Sequence, residues 1–152
     1  MTKATSGETL AVLEALHSDC FACGICNRSG LHLHFEVGAD GVAHATWQPG
    51  CDFRSYPDRI HGGVIATLLD SSIVHALFSR GVAGVTVELT IRYLQSVNIH
   101  DPVHITGWVE SARHGLYACR SEIEQAGITV VRAAAKFMDM PEISLPNPSH
   151  DG

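Results

Sequence analysis

The run His61-Gly62-Gly63-Val64-Ile65-Ala66-Thr67-Leu68-Leu69-Asp70 decides how this chain is read. Two glycines open a segment that continues to Phe78 with only two titratable side chains, Asp70 and His75. A stretch so apolar on every side is a helix packed inside a domain, not one lying on its surface. An ionised carboxylate in such a place is costly unless it has partners, so Asp70 needs a reason to be there. It follows Gly63 by seven residues, close to two helical turns, and shares the stripe of the helix start. The first-turn N–H groups have no helical partners, and with the helix dipole they favour an anion or a polarised carbonyl oxygen. A base and an oxyanion site on one stripe is a hydrolase pattern.

Around this helix the sequence reads as strands. Residues 31–37 alternate with period two, Ala39-Asp40-Gly41 offers turn chemistry, and residues 42–48 alternate again, which predicts a hairpin. Residues 49–60, with Pro49, Gly50 and Pro57, form a loop leading into the helix, which is expected to end near Arg80 and Gly81. In residues 85–97, Val85, Val87, Leu89, Ile91 and Tyr93 fall on a core face, against Thr86, Glu88, Thr90 and Arg92 on the other. Strands over 103–110, 116–124 and 128–138 follow, joined at Arg113-His114-Gly115 and Ala126-Gly127. Upstream, residues 6–17 suggest a short amphipathic helix capped by Ser6, with Leu10, Val12, Leu13 and Leu16 on its apolar side, covering an edge of the domain. The expected division is a helix and cysteine-rich loop over 1–30, the main domain over 31–140 and a loose tail over 141–152. The fold class is α+β, an antiparallel sheet curled around one long helix.

A length of 152 residues buries roughly 70% of the unfolded surface without staples. A formal charge of −6 argues against a nucleic-acid partner, which wants a basic face. No secretory segment and no long apolar run is evident, so a soluble, cytoplasmic protein with no membrane partner is expected. Five cysteines are an odd number, which suits reduced thiols or metal ligands better than a disulfide framework. Cys20, Cys23 and Cys26 have zinc-loop spacing, and His32 and His34 share an expected strand face nearby. No second close ligand pair accompanies them, so a turned loop of reduced thiols with no metal and no cofactor is expected. His75 reads as a satisfied core histidine.

With these elements in order, His61-Gly62-Gly63 and an acid nine positions after the histidine resemble the hotdog-fold thioesterases of the phenylacetyl-CoA, or PaaI-like, type. The resemblance covers roughly residues 31–138. Gly84-Val85-Thr86 and Tyr93-Leu94 match further family segments, and Cys20-Phe21-Ala22-Cys23-Gly24 with Asn27 resembles a subgroup that opens with Cys-Phe-x-Cys-Gly. The resemblance implies hydrolysis of acyl-CoA by a homodimer or homotetramer whose active sites are shared between subunits. It implies Asp70 as base or nucleophile, and the residue types suit Gly62 or Gly63 as oxyanion donor and Thr86 as the hydroxyl that orients water or Asp70. His61 either shapes the turn or takes part in proton transfer. Many relatives carry an amide six residues before that histidine; Ser55 stands there, flanked by Arg54 and Tyr56, and these three are candidates on the substrate side. Arg113, His114 and Lys136 are candidate contacts for CoA phosphates. Two other functions suit the same scaffold, a dehydratase or hydratase using His61 and Asp70, and a non-catalytic acyl-CoA-binding domain.

Overall fold

The computed structural model describes residues 7–144. In chain order these form helix α1 (Gly7–Leu16), strands β1 (Glu36–Val37) and β2 (Ala43–Trp47), a 3-10 turn (Cys51–Phe53) and the long helix α2 (Gly62–Phe78). Strands β3 (Gly84–Tyr93), β4 (Val103–Arg113), β5 (Leu116–Gln125) and β6 (Ile128–Asp139) follow, then a helical turn, α3 (Pro141–Ser144). The strands pair antiparallel in the order β1-β2-β4-β5-β6-β3, so β3 is an edge. None of the described helices is long and apolar enough to cross a membrane.

Alternation sorts the sheet into two faces. Ala43, Ala45 and Trp47 of β2, Val103 and Ile105 of β4, Ile123 of β5 and Val131, Ala133, Ala135 and Phe137 of β6 are buried, the inner face against α2. The outer face carries ion pairs, Arg120 with Glu110 at 3.0 Å and Arg132 with Glu122 at 3.1 Å. An antiparallel sheet with one face on the core and one in water shows this pattern. His114 and Gly115 (φ 50° and 76°), and Ala126 and Gly127 (φ 52° and 77°), make two-residue hairpin turns whose positive φ values match the strand twist. Helix α2 ends as expected: Gly81 at φ 73° donates to Phe78 O, and Val82 N–H reaches Leu77 O at 3.1 Å.

Helix and sheet backbones meet closely at Gly107 of β4. A Cβ there would lie 2.6 Å from the backbone carbonyl carbon of Ser72 on α2. Beside it the hydroxyls of the fully buried Ser72 and Ser121 lie 2.7 Å apart, and Ser121 reaches Thr106 O at 2.8 Å.

Three expectations need correction. Residues 31–35 alternate in burial, with Leu31 and Leu33 inside and His32 and His34 outside, yet they form no ladder. Leu31 and Leu33 donate their N–H groups to Phe21 O and Ala22 O of the cysteine loop, and His32 sits at φ 52°. Only Glu36–Val37 pairs with β2. The clean alternation of β3 is broken by a bulge between Thr86 and Glu88, and the strand ends at Tyr93, short of Val97. Finally, the apolar side expected of α1 is only partly buried: Leu13 packs among Val74, Leu77 and Phe78, so that α1 lies on α2, whereas Val12 and Leu16 are exposed. The expected cap Ser6 lies outside the described residues, and the expected loose tail opens with α3.

Gly107→Ala should cost about 1–3 kcal/mol, because the added methyl meets helix backbone that cannot rotate away. Gly7→Ala, at a glycine with open space around it, serves as control. Urea midpoints compare the two; equal midpoints would mean that the helix can lift off the sheet freely.

Candidate active site

His61 caps α2: its Nδ1 accepts the Gly63 N–H at 2.9 Å. A Cβ on residue 63 would lie 3.1 Å from that nitrogen, so glycine is what lets the ring fold over the helix start. With Nδ1 accepting, the neutral ring carries its proton on Nε2. The Tyr93 hydroxyl donates to Gly62 O at 2.8 Å and ties β3 to the same turn. Among the described residues, the N–H groups of Gly62 and Val64 have no partner. The two glycines therefore differ, since Gly63 N–H is engaged and Gly62 N–H is free. Tyr93 was visible in the sequence as half of a matching pair, but its bond to Gly62 was not.

Asp70 lies eight residues further along α2, half-buried, and its Oδ1 accepts from the Thr86 hydroxyl at 2.6 Å. The bulge in β3 makes this contact. Thr86 stands opposite Phe137 and Glu88 opposite Lys136, which leaves Val87 as the extra residue. Cross-strand partners share a face, so Thr86 points with the buried Phe137 toward α2, not away from the core as the plain alternation implied. Val85 and Val87, expected inside, are 39% and 55% exposed. Burial raises the Asp70 pKa above the ordinary aspartate value, and the Thr86 hydrogen bond opposes that rise only in part. The carboxylate faces a cavity of about 370 Å³, lined on α2 by Ala66, Thr67, Ser71 and Val74, on β3 by Leu89, and on the far side by residues 20–23.

The remaining candidates do not gather here. Ser55 and Tyr56 line a second cavity of about 490 Å³ beside Gly62 and Tyr93, at the start of α2. Arg54 is exposed and pairs its backbone with Ile60. Arg113 and His114 sit exposed at the β4–β5 turn, next to Leu116, which leads through Met138 to Val85 at the other end of the sheet. Lys136 lies on the outer face, 3.4 Å from Glu88. Within one chain Arg113, His114 and Lys136 form no common anion site.

A cap of histidine over two glycines and a half-buried aspartate two turns on, on a helix wrapped by an antiparallel sheet, with a threonine brought to the aspartate by a bulge in that sheet, narrow the comparison. The sequence profile of the thioesterase superfamily matches residues 58–132, which hold every one of these groups. The chain belongs to the thioesterase superfamily. Its fold is the hotdog fold. A thioesterase superfamily protein of known crystal structure is 27% identical with a TM-score of 0.76, over 80% of this chain and 61% of that longer one. A hypothetical thioesterase from Streptococcus pneumoniae TIGR4, solved with coenzyme A, is 22% identical with a TM-score of 0.71, over 84% of this chain and 96% of that one. The PaaI protein of the E. coli phenylacetic acid degradation operon is 20% identical with a TM-score of 0.70, over 86% and 92%. No curated protein matches the chain.

In this superfamily member the far wall of the Asp70 cavity is the cysteine loop. Cys20 and Cys23 are half-buried and Cys26 is exposed. Burial, together with the neighbouring Cys20, pushes the Cys23 thiol up to about 12, which makes it a poor nucleophile in its free form. His75 lines the same cavity, and burial pushes its pKa down to about 4, so the ring is neutral. It is not the satisfied core histidine expected from the sequence, because its Nε2 is buried without a hydrogen-bond partner.

The raised Asp70 pKa carries a stability consequence. Its folded value lies above the ordinary 3.8, so the native state holds the proton more tightly than the unfolded chain does. The stabilising contribution of the protonated group is complete below 3.8 and is lost as pH rises through the raised value, so at neutral pH ionised Asp70 costs stability. Asp70→Asn should therefore melt at or above the wild-type temperature at pH 7, with the difference shrinking below about pH 4. A variant melting well below wild type at pH 7 would show that the ionised carboxylate instead holds the site together.

Proposed function

We propose that this protein hydrolyses an acyl-CoA thioester to free acid and CoA. The observation that carries this reading is a half-buried carboxylate of raised pKa, held by Thr86 at 2.6 Å on the wall of a largely apolar cavity. Asp70 takes a proton from water as that water attacks the thioester carbonyl, with Thr86 fixing one carboxylate oxygen so that the other faces the water; the C–S bond then breaks and the departing CoA thiolate takes up the proton that Asp70 holds. The free N–H of Gly62, at the positive end of α2, stabilises the developing oxyanion. His61 shapes the turn, its Nδ1 accepting the Gly63 N–H. Two relatives of similar fold were solved with coenzyme A and with acetyl-CoA. In the S. pneumoniae thioesterase, mutants were solved with an aspartate or a threonine changed to alanine, at positions spaced as Asp70 and Thr86 are here. A cytoplasmic setting goes with this reading, because the five cysteines are free thiols.

The site is completed by a second copy. From Gly62 to Asp70 the helix rises ~12 Å, further than one attacking water and one carbonyl group span when folded around a tetrahedral carbon. A base from one subunit and an oxyanion donor from another remove that gap, and the open edge at β3 offers a way for two copies to meet. Light scattering should find a dimer or tetramer at micromolar concentration. A 16.3 kDa monomer that still turns over substrate would overturn the shared site.

Free-CoA release from a panel of acyl-CoAs tests the chemistry. Asp70→Asn should lower kcat by about 10²–10⁴. Thr86→Val should lower kcat more than it raises KM, and should move the acidic limb of kcat/KM to higher pH, because the lost hydrogen bond favours the ionised form of Asp70. Unchanged turnover in Asp70→Asn would leave acyl-CoA binding without hydrolysis as the function.

A further inference from the structure

We propose that His17, Cys20 and Cys23 form a site for a divalent cation of the zinc class, which clips the N-terminal loop in place as the wall of the Asp70 cavity. The sequence alone grouped Cys20 and Cys23 with Cys26, His32 and His34, and that set supplies no tetrahedral site. The structure regroups them. Cys26, His32 and His34 are exposed, and His17, three residues ahead of Cys20, turns inward instead. One ligand atom from each of His17, Cys20 and Cys23 lies within 4.8 Å of the other two.

The spacing is that of ligands about a common centre. The His17 Nδ1 and Cys23 Sγ are 3.6 Å apart. A metal–sulfur bond of ~2.3 Å and a metal–nitrogen bond of ~2.0–2.1 Å at a tetrahedral angle place those two atoms ~3.6 Å apart. The loop backbone holds the set in place: Cys20 N–H reaches His17 O at 3.0 Å and Gly24 N–H reaches Cys20 O at 2.8 Å. A Cβ at Gly24 would lie 2.6 Å from Cys20 O, so the turn after the second cysteine admits only glycine. Two thiolates and a neutral imidazole balance the charge of a dication, and soft sulfur with imidazole selects zinc over magnesium or calcium. Three protein ligands leave one position open on the cavity side. There His75, edge-on to His17 with ring centroids 6.5 Å apart, lines the same cavity, and its buried Nε2 has no partner. That nitrogen independently marks this corner as a place for a polar ligand.

The consequence is mechanical. Cys20, Phe21, Ala22 and Cys23 wall the cavity, and Phe21 O and Ala22 O hold Leu31 and Leu33. A cation at the loop fixes all of these together. Binding converts two thiols to thiolates and releases their protons to solvent, so affinity rises with pH.

The test uses the full chain, reduced with a phosphine and stripped by a chelator, and reads metal binding independently of hydrolysis. Titration with Co²⁺ should give one equivalent bound, with a thiolate-to-cobalt charge-transfer band and the intense visible bands of a four-coordinate ion, both abolished by Zn²⁺. The melting temperature should rise with the logarithm of free zinc. His17→Ala, Cys20→Ser and Cys23→Ser should each weaken zinc binding at least about 10-fold, the lower end of what even indirect support of a metal ligand is worth. Cys26→Ser should leave it unchanged. A wild-type protein with no charge-transfer band overturns the site, as does a band that survives both Cys20→Ser and Cys23→Ser. A Cys20–Cys23 disulfide that forms as readily with zinc present as without it also overturns it. The wild-type spectrum decides the matter even where a variant fails to fold.

Discussion

The close approach of α2 to β4 at Gly107 sets the geometry of everything else. With no side chain at residue 107, the helix backbone descends onto the sheet at Ser72, and Ser72 and Ser121 satisfy each other in the dry space that results. Buried hydroxyls without such partners would favour a looser packing. Once Ser72 faces the sheet, Asp70, two residues earlier and ~200° around the helix, must face away from it. The carboxylate is thus aimed at the side where β3 and the cysteine loop close over the helix. The packing that buries the helix therefore also raises the Asp70 pKa, through one geometric constraint.

The helix start follows a related logic. A cap by serine or aspartate would satisfy the first-turn donors and stop there. His61 satisfies Gly63 N–H and leaves Gly62 N–H free, while Tyr93 anchors the Gly62 carbonyl from the sheet. An unsatisfied donor and an unneutralised carboxylate both work against folding, and both lie where the proposed chemistry would use them. Local cost concentrated at groups that a shared site would use, in a fold otherwise consistent from pattern to packing, is what functional residues look like.

Much of this was legible in the sequence because it rests on local signals. The apolar run with one acid, the hairpin turns at His114-Gly115 and Ala126-Gly127, and the glycine at the end of α2 each follow from residue chemistry within a few positions. What escaped depends on partners distant in sequence. Residues 31–35 alternate as a strand does, but the cysteine loop, itself shaped by Gly24, captures their backbone donors. The bulge at Val87 is set by register against β6, and a period-two pattern continues through it unmarked, so Thr86 was assigned to the site by family likeness and to the wrong face by pattern. In the sequence His17 ends an amphipathic helix, and nothing local says that the chain turns it back toward Cys23.

The two sides of the Asp70 cavity have different physical origins. On one side, α2 and β3 belong to the hydrogen-bonded core, where Leu68, Leu69 and Ile73 are fully buried, so a change there disturbs the sheet itself. On the other side, the cysteine loop has no ladder, exposes Phe21 and Ile25, and is held by a few backbone bonds and its own tight turns. Substitutions at the exposed positions of such a segment, Phe21 and Ile25, cost little folding energy, whereas changes in the sheet would be felt throughout. If the chemistry is common to the fold, acyl selectivity belongs to the wall that is free to vary. That wall must nonetheless be rigid enough to discriminate, since a loop that breathes by even an ångström cannot measure a chain length. A short, variable segment becomes rigid without a core of its own through a covalent or metal clip. The only described residues positioned to supply one are His17, Cys20 and Cys23, which stand in the wall itself.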